Sequence, residues 1–363
     1  MKVGIITYHF AQNYGSVLQC YALQEYLKRT GYNVRIINYV SSKQEKNNSF
    51  SDGLKAKIRN ILFLTIKNKM QNKFEKFKEF REEYLCETKR ISNLTELETL
   101  VRTEKFDFVI SGSDQVFNPN INDFEMAFVL PFKTSAKKIA YAASLGNAGE
   151  SELQQIKKSI LDFNKISLRE LEDKHIFEDI IGISASVVCD PVFLLSREEW
   201  ATRISNIKTN INIHEKYLLC YFIHKKYMDK SIKLAKKIAK EKKLKIIFIN
   251  AGYNLNSLNK ETLVDCGPKE FLKLFYNAEY ICTDSFHGTS FSIILNKNFI
   301  CFDSKYNLKD NRRKNLLNEL KLGSRFLYVE NNNIKIENIN FSKTNKIMKE
   351  FSDKSKKFLS FKN

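Results

Sequence analysis

Glycine and proline are scarce in this chain, at 12 and 4 of 363 residues. That excludes collagen-like and low-complexity architectures. No apolar run reaches the roughly 18 residues of a membrane-spanning helix. The opening stretch, Met1 to Ser16, has too short an apolar run for a secretory signal. The seven cysteines (Cys20, Cys86, Cys189, Cys220, Cys266, Cys282, Cys301) form no CxxC pair and show no metal spacing. Their odd number and apolar settings point to reduced thiols and a cytoplasmic protein. Neither GxGxxG nor GxxxxGK[ST] occurs, so nicotinamide and P-loop chemistry are not expected. No metal-ligand cluster is visible, so neither metal nor cofactor is expected. Zinc-finger, RNP and helix-turn-helix signatures are lacking too, and nucleic acid is not an expected partner.

What is present is a hydrophobic fraction of 43%, enough for a folded core, and a net charge of +19 from 60 basic and 41 acidic residues. Such a charge suits anionic substrates or an anionic membrane surface, and also follows from biased codon usage. The basic residues Lys55, Lys57, Arg59, Lys67, Lys69 and Lys73 follow one another without an intervening acid. Met70, Phe74, Phe77 and Tyr84 recur there at helical spacing, as a core stripe with a solvated face. The alternative is a helix docked peripherally on the inner face of the plasma membrane.

Short apolar runs alternate with helical patterns along the chain. Val3–Tyr8, a helix over 17–29 and Val34–Tyr39 form a strand–helix–strand unit of a parallel sheet. Further strands are expected at 106–110, 138–141, 166–168 and 186–189, each followed by small polar residues. A polar stretch at 201–215 reads as a linker. A second alternating set follows, with strands at 218–223, 245–249, 280–283 and 299–302. The expected division is a Rossmann-like domain over 1–200, the linker, a second Rossmann-like domain over 216–335, and a C-terminal helix within 336–363. The fold class is α/β, with two parallel sheets facing an interdomain cleft. Ligands in such sheets sit beyond the carboxyl ends of the strands.

That rule selects the candidate residues. Asn13, Gly15 and Ser16 open the first helix, whose backbone N–H groups suit an anion. Asp114, in Ser111-Gly112-Ser113-Asp114-Gln115, is placed either to accept a proton from a sugar hydroxyl or to staple its loop. Arg169 follows a strand end, where it suits a carboxylate or phosphate, or a salt bridge to Glu170 or Glu172. His287 sits in Thr283-Asp284-Ser285-Phe286-His287-Gly288-Thr289, at a strand-to-helix turn, as an acid or base. The N–H groups of Gly288 and Thr289 are expected to open a helix over 290–295 and hold phosphate. Arg312 and Arg313, after Lys309 and Asp310, form an anion clamp or a solvated basic patch.

Six motifs in order then resemble the polysaccharide pyruvyltransferase family. They are N-Y-G-S-V-L-Q-x-Y-A-L at Asn13–Leu23, S-G-S-D-Q-V-F-N-P at Ser111–Pro119 and Y-A-A-S-L-G at Tyr141–Gly146. S-L-R-E at Ser167–Glu170, D-P-V-F-L-L at Asp190–Leu195 and T-D-S-F-H-G-T at Thr283–Thr289 complete the set. The resemblance implies a GT-B-like fold, with an acceptor-side N-terminal domain and a donor-side C-terminal one. It implies transfer of pyruvate from phosphoenolpyruvate to a sugar of a capsule, exopolysaccharide or cell-wall precursor, forming a cyclic ketal and releasing phosphate. By resemblance Arg169 holds the donor and His287 is the general acid. Where some members carry R-x-H, this chain has Ser285-Phe286-His287, so Ser285, Arg312 or Arg313 is expected to stand in for the arginine. Two other functions remain open: a GT-B glycosyltransferase using a nucleotide sugar, and a non-catalytic, membrane-associated polysaccharide assembly factor.

Overall fold

The computed structural model describes residues 1–48, 61–211, 213–250, 262–307, 311–331 and 337–361, without the side chains of 46–48 and 61–67. Two compact units emerge. One comprises 1–56, 81–195 and 349–363; the other comprises 57–80 and 196–348.

The first unit is built on a six-stranded sheet: β1 (Lys2–Ile6), β2 (Asn33–Ile36), β3 (Phe108–Ser111), β4 (Lys137–Ala143), β5 (Lys165–Leu168) and β6 (Ser186–Val187). Its order is β2-β1-β3-β4-β5-β6, and every pairing is parallel. The strands read as near-continuous apolar runs because a parallel sheet is covered on both faces. Val109, Ala140, Ile166 and Leu168 enter a core with Phe117, Phe128, Leu153 and Phe177.

The second unit repeats the plan with β7 (Tyr217–Phe222), β8 (Lys245–Asn250), β9 (Thr262–Leu263), β10 (Tyr280–Thr283), β11 (Asn298–Asp303) and β12 (Phe326–Tyr328). The order is β12-β11-β10-β7-β8-β9, again wholly parallel. Leu218, Cys220, Ile238, Cys282 and Ile300 share its core.

Several boundaries differ from expectation. Residues 201–206 of the supposed linker belong to the helix Arg197–Asn206, which Ser196 caps by accepting from Glu199 N–H. The division falls at 195/196, and the tail helix Ser342–Phe358 is shared, its residues from Lys349 onward counting with the first unit. The helix Ile61–Tyr84 also divides, at Phe80/Arg81.

Of the expected stripe only Phe77 is fully buried, while Met70, Phe74 and Tyr84 are half-buried; Phe80, outside the stripe, is buried as well. Lys73 does not face solvent. It is 4% exposed, its Nζ donates to the Asn250 carbonyl at 2.9 Å, and burial pushes its pKa down to about 8. Lys69 is exposed, while Lys55, Lys57, Arg59 and the Lys67 side chain lie outside the described residues. Among the described residues, no helix is long and apolar enough to cross a membrane.

Candidate functional site

In the first unit the carboxyl ends of β1, β3, β4, β5 and β6 converge. The motifs interlock there. Gln19 Nε2 donates to Thr7 Oγ1, Thr7 Oγ1 donates to the Ser113 carbonyl, and Ser113 N–H donates back to Gln19 Oε1. Gly112 has φ +116, and a Cβ on it would stand 2.3 Å from the Tyr141 carbonyl oxygen, so only glycine fits.

Arg169 occupies the centre. Its Nε donates to Glu170 Oε1 at 2.7 Å and its Nη1 to Asp190 Oδ2 at 2.9 Å, with Asp114 Oδ1 3.8 Å from Nη1. Burial works against its charge, but the charges of Glu170, Asp190 and Asp114 outweigh burial and raise its pKa. Asp190 is itself wholly buried and accepts from Val192 N–H, which explains the D-P-V motif. Asp114 is more open, with its side chain 13% exposed. Its Oδ2 accepts from Ser16 Oγ at 3.0 Å.

Of the two expectations for Arg169, the salt bridge to Glu170 is present. An arriving phosphate would meet three carboxylates around one guanidinium, so repulsion opposes it. Arg169 holds these carboxylates in place, and carboxylates accept hydrogen bonds from neutral hydroxyls. The first helix differs from expectation. Gly15 and Ser16 N–H groups already donate to Asn13 Oδ1, at 2.9 and 3.4 Å, so this N-terminus is capped rather than open to an anion.

The sequence reading passed over one acid. Asp173 is half-buried in the first turn of the helix Leu171–Ile181 and accepts from Leu145 N–H at 3.3 Å. Burial first, then the charge of Glu170 and a hydrogen bond with it, push the Asp173 carboxyl up to about 8. The S-L-R-E-x-x-D spacing was the available signal, but it reads equally as helix-start acids.

The second unit holds the other candidates. The helix runs Phe286–Ile294, four residues earlier than expected, so His287 lies in its first turn. Ser285 is the cap: its Oγ accepts from Gly288 N–H at 3.3 Å, and its carbonyl accepts from Thr289 N–H at 2.9 Å. Those N–H groups are therefore occupied within the helix start. A Cβ on Gly288 would stand 2.4 Å from Thr283 Oγ1. This helix is buried throughout, and its hydroxyls are satisfied locally, Thr289, Ser290 and Ser292 each donating to the carbonyl four residues back.

His287 is 8% exposed beside the Phe286 ring. Asp284 is fully buried and accepts from Ile223 and His224 N–H at 2.7 and 3.1 Å, pinning the end of β7. His224, a second strand-end histidine, has Nδ1 3.4 Å from Asp284 Oδ2. Its place after a strand in the sequence was the signal for it. Arg313 is not a clamp. It is 0% exposed, with Nη2 donating to Asp303 Oδ2 at 2.9 Å and Nη1 to the Phe302 carbonyl at 2.8 Å. Arg312 is half-buried at the start of the helix Arg312–Glu319, while Lys309 and Asp310 lie outside the described residues. Among the described residues no group of three His, Cys, Asp or Glu is arranged to hold a metal ion.

A family profile described as polysaccharide pyruvyl transferase matches residues 13–306. The chain belongs to that family. Its six motifs lie on the strand ends and helix starts of both units. No curated protein matches the chain. Among solved structures, a putative UDP-N-acetylglucosamine 2-epimerase from Listeria monocytogenes superposes with TM-score 0.56 at 10% identity, covering 99% of this chain and 89% of that one. The UDP-GlcNAc 2-epimerase of Methanocaldococcus jannaschii gives 0.52 at 17% identity, with 97% and 100% covered. That of Neisseria meningitidis gives 0.52 at 10%, with 100% and 95% covered. At these identities the likeness shows the fold alone, and the fold of this pyruvyl transferase family member is GT-B.

Proposed function

We propose that this polysaccharide pyruvyl transferase family member moves pyruvate from phosphoenolpyruvate onto two hydroxyls of a sugar, forming a cyclic ketal and releasing phosphate. The observation that carries the reading is the carboxylate cluster held by Arg169 within the family's own motifs. Carboxylates with open edges recognise a diol through its hydroxyl hydrogens, and Asp114 is such a group. The first unit is thereby the acceptor side, and His287 in the second unit is the acid for the donor. The sugar belongs to a capsule, exopolysaccharide or cell-wall precursor.

The chemistry needs no cofactor. An acid protonates the methylene carbon of the enol, and C2 becomes oxocarbenium-like. One hydroxyl adds to C2 and loses its proton to a base. The C2–O bond to phosphate then breaks, phosphate leaves, and the second hydroxyl closes the ketal with loss of its proton. One hydroxyl proton replaces that spent on the methylene, and the other leaves with phosphate or solvent.

The test is phosphate release from phosphoenolpyruvate with 4-nitrophenyl β-galactoside, β-glucoside and N-acetylmannosaminide, for wild type and His287→Ala. Acceptor-dependent release that the substitution abolishes supports the reading. If a nucleoside diphosphate sugar raises the melting temperature and phosphoenolpyruvate does not, the nucleotide-sugar glycosyltransferase takes its place. Should the acceptor be carried on a lipid, the exposed Lys69 adds about 1 kcal/mol at an anionic surface. Lys73, being buried, contributes nothing there.

A further inference from the structure

The helix Leu171–Ile181 starts with two acids that do not serve it. Glu170 is its N-cap residue, yet its side chain makes no capping hydrogen bond. Its Oε1 instead accepts from Arg169 Nε at 2.7 Å and from Ser144 Oγ at 3.1 Å. Asp173, three residues on, is where a capping acid would reach back to the cap's own N–H. It turns away as well, accepting from Leu145 N–H in the loop after β4. Both carboxyls are thus drawn towards the strand ends, although helix acids are normally satisfied at the N-terminus itself.

The two carboxyls converge on adjacent residues of one loop, Glu170 on Ser144 Oγ and Asp173 on Leu145 N–H. Two carboxylates held side by side repel each other unless a proton lies between them. The Glu170 side chain is only 6% exposed, and its Oε2 is buried with no donor among the described residues. A proton held by Asp173 supplies the missing donor. One proton shared by the pair therefore satisfies both the buried orphan oxygen and the repulsion between the two charges.

We propose that Glu170 and Asp173 form a proton-sharing carboxyl pair, and that Asp173, its more exposed member, is the base that takes the proton of the attacking sugar hydroxyl. This rests on the pyruvyl-transfer reading above. The hydroxyl O–H bond breaks as the new O–C2 bond forms. The shared proton first leaves to solvent as pH rises towards 8; the hydroxyl proton then goes to an oxygen of the ionised Asp173, and the hydroxyl oxygen's electron pair neutralises the positive centre at C2. Glu170 is a positioning residue: Arg169 and Ser144 fix it, and it fixes Asp173.

The groups facing Asp173 come from three elements. Glu170 at the helix start and burial favour its protonated form. Arg169 at the end of β5, Leu145 N–H after β4 and the helix N-terminus favour its charge. The first pair prevails, which places the carboxyl near 8 rather than near an ordinary aspartate's 4 or so. A base works best when its pKa lies near the working pH, and this displacement meets that condition. Asp114 and Asp190 lie against Arg169, at 3.8 and 2.9 Å from its Nη1.

The experiment combines direct titration with kinetics, using wild type, Asp173→Asn and Glu170→Gln. Asparagine preserves the shape and still donates to Glu170, so the first variant keeps the fold. Carbon-13 NMR of labelled aspartate carboxyls should show one group titrating near pH 8 in wild type and missing in Asp173→Asn. Glu170→Gln should bring that titration down towards the ordinary range. With phosphoenolpyruvate and the 4-nitrophenyl glycosides, the acceptor's kcat/KM should rise with pH up to about 8 in wild type. Asp173→Asn should lower it by about 10²- to 10⁴-fold and remove that rise, with the thermal shift from phosphoenolpyruvate intact.

Three outcomes would overturn the pair or its role. If no aspartate titrates above the ordinary range, the pair does not exist, whatever the enzyme's reaction. If the group titrates but Asp173→Asn transfers pyruvate at the wild-type rate with an unchanged profile, the pair exists and Asp173 is not the base. If the group titrates and wild type transfers pyruvate to no acceptor, the pyruvyl-transfer reading fails, and Asp173's role fails with it.

Discussion

At the residue scale, two arginines of the same type sequence signal have structural work of different kinds. Arg313 is enclosed against Asp303 and the end of β11. Removing one partner of a buried pair strands the other, so Arg313→Ala should cost about 3–5 kcal/mol, read as a lowered urea midpoint, with no selective loss of donor binding. Arg169 separates two roles by the same measurement. A residue that only clamped the donor could be removed with the fold intact. Because it neutralises Asp190 and Glu170, Arg169→Ala should lose stability on the same scale as Arg313→Ala, together with activity. Asp173 bears on pH. Its folded pKa is raised, so its contribution is fully present below the unfolded value of about 4 and is lost as pH rises through 8 or so. Asp173→Asn should flatten the fall in melting temperature across that window.

At the element scale, the helix Phe286–Ile294 is the instructive case. Its residues were legible as a strand-to-helix turn, and His287 as the histidine within it. Its start was not, because Ser285, Phe286 and His287 carry no apolar periodicity to mark a first turn. The cap contact decided the start, by bonding Ser285 Oγ to Gly288 N–H. Ser285→Ala should cost about 1 kcal/mol through loss of that cap. Gly288→Ala should cost more, since the added methyl collides with Thr283 Oγ1, which itself donates to the Tyr221 carbonyl at 2.7 Å. Thermal melts of the two variants should rank in that order. The helix Arg197–Asn206 was missed for the opposite reason: its polar surface reads as a linker, while Trp200 and Ile204 are fully buried.

At the scale of the whole molecule, each unit carries one parallel sheet and one set of family motifs at the strand ends. Phosphoenolpyruvate at a hundred times its Kd should stabilise the folded protein by about 2.7 kcal/mol, visible as a rise in melting temperature. Membrane docking is tested by flotation. Binding that is independent of anionic lipid content would remove the electrostatic surface as its cause, and Lys73→Gln should leave flotation unchanged because that ammonium is buried.

The α/β class, the six motifs and every strand but the short β9 and β12 were determined by the sequence itself. Apolar runs bounded by small polar residues carry that information locally, and the family follows from motifs in order. Partnership was decided only by tertiary structure. Arg169 meets Asp190 across 21 positions and Asp114 across 55, and Arg313 meets Asp303 behind a strand end. An arginine's charge is visible in the sequence, but whether it is left to bind an anion depends on which carboxylates the fold brings to it. The pair of Glu170 and Asp173 shows the same limit. Their spacing is that of ordinary helix-start acids, and only burial beside the strand ends makes them share a proton.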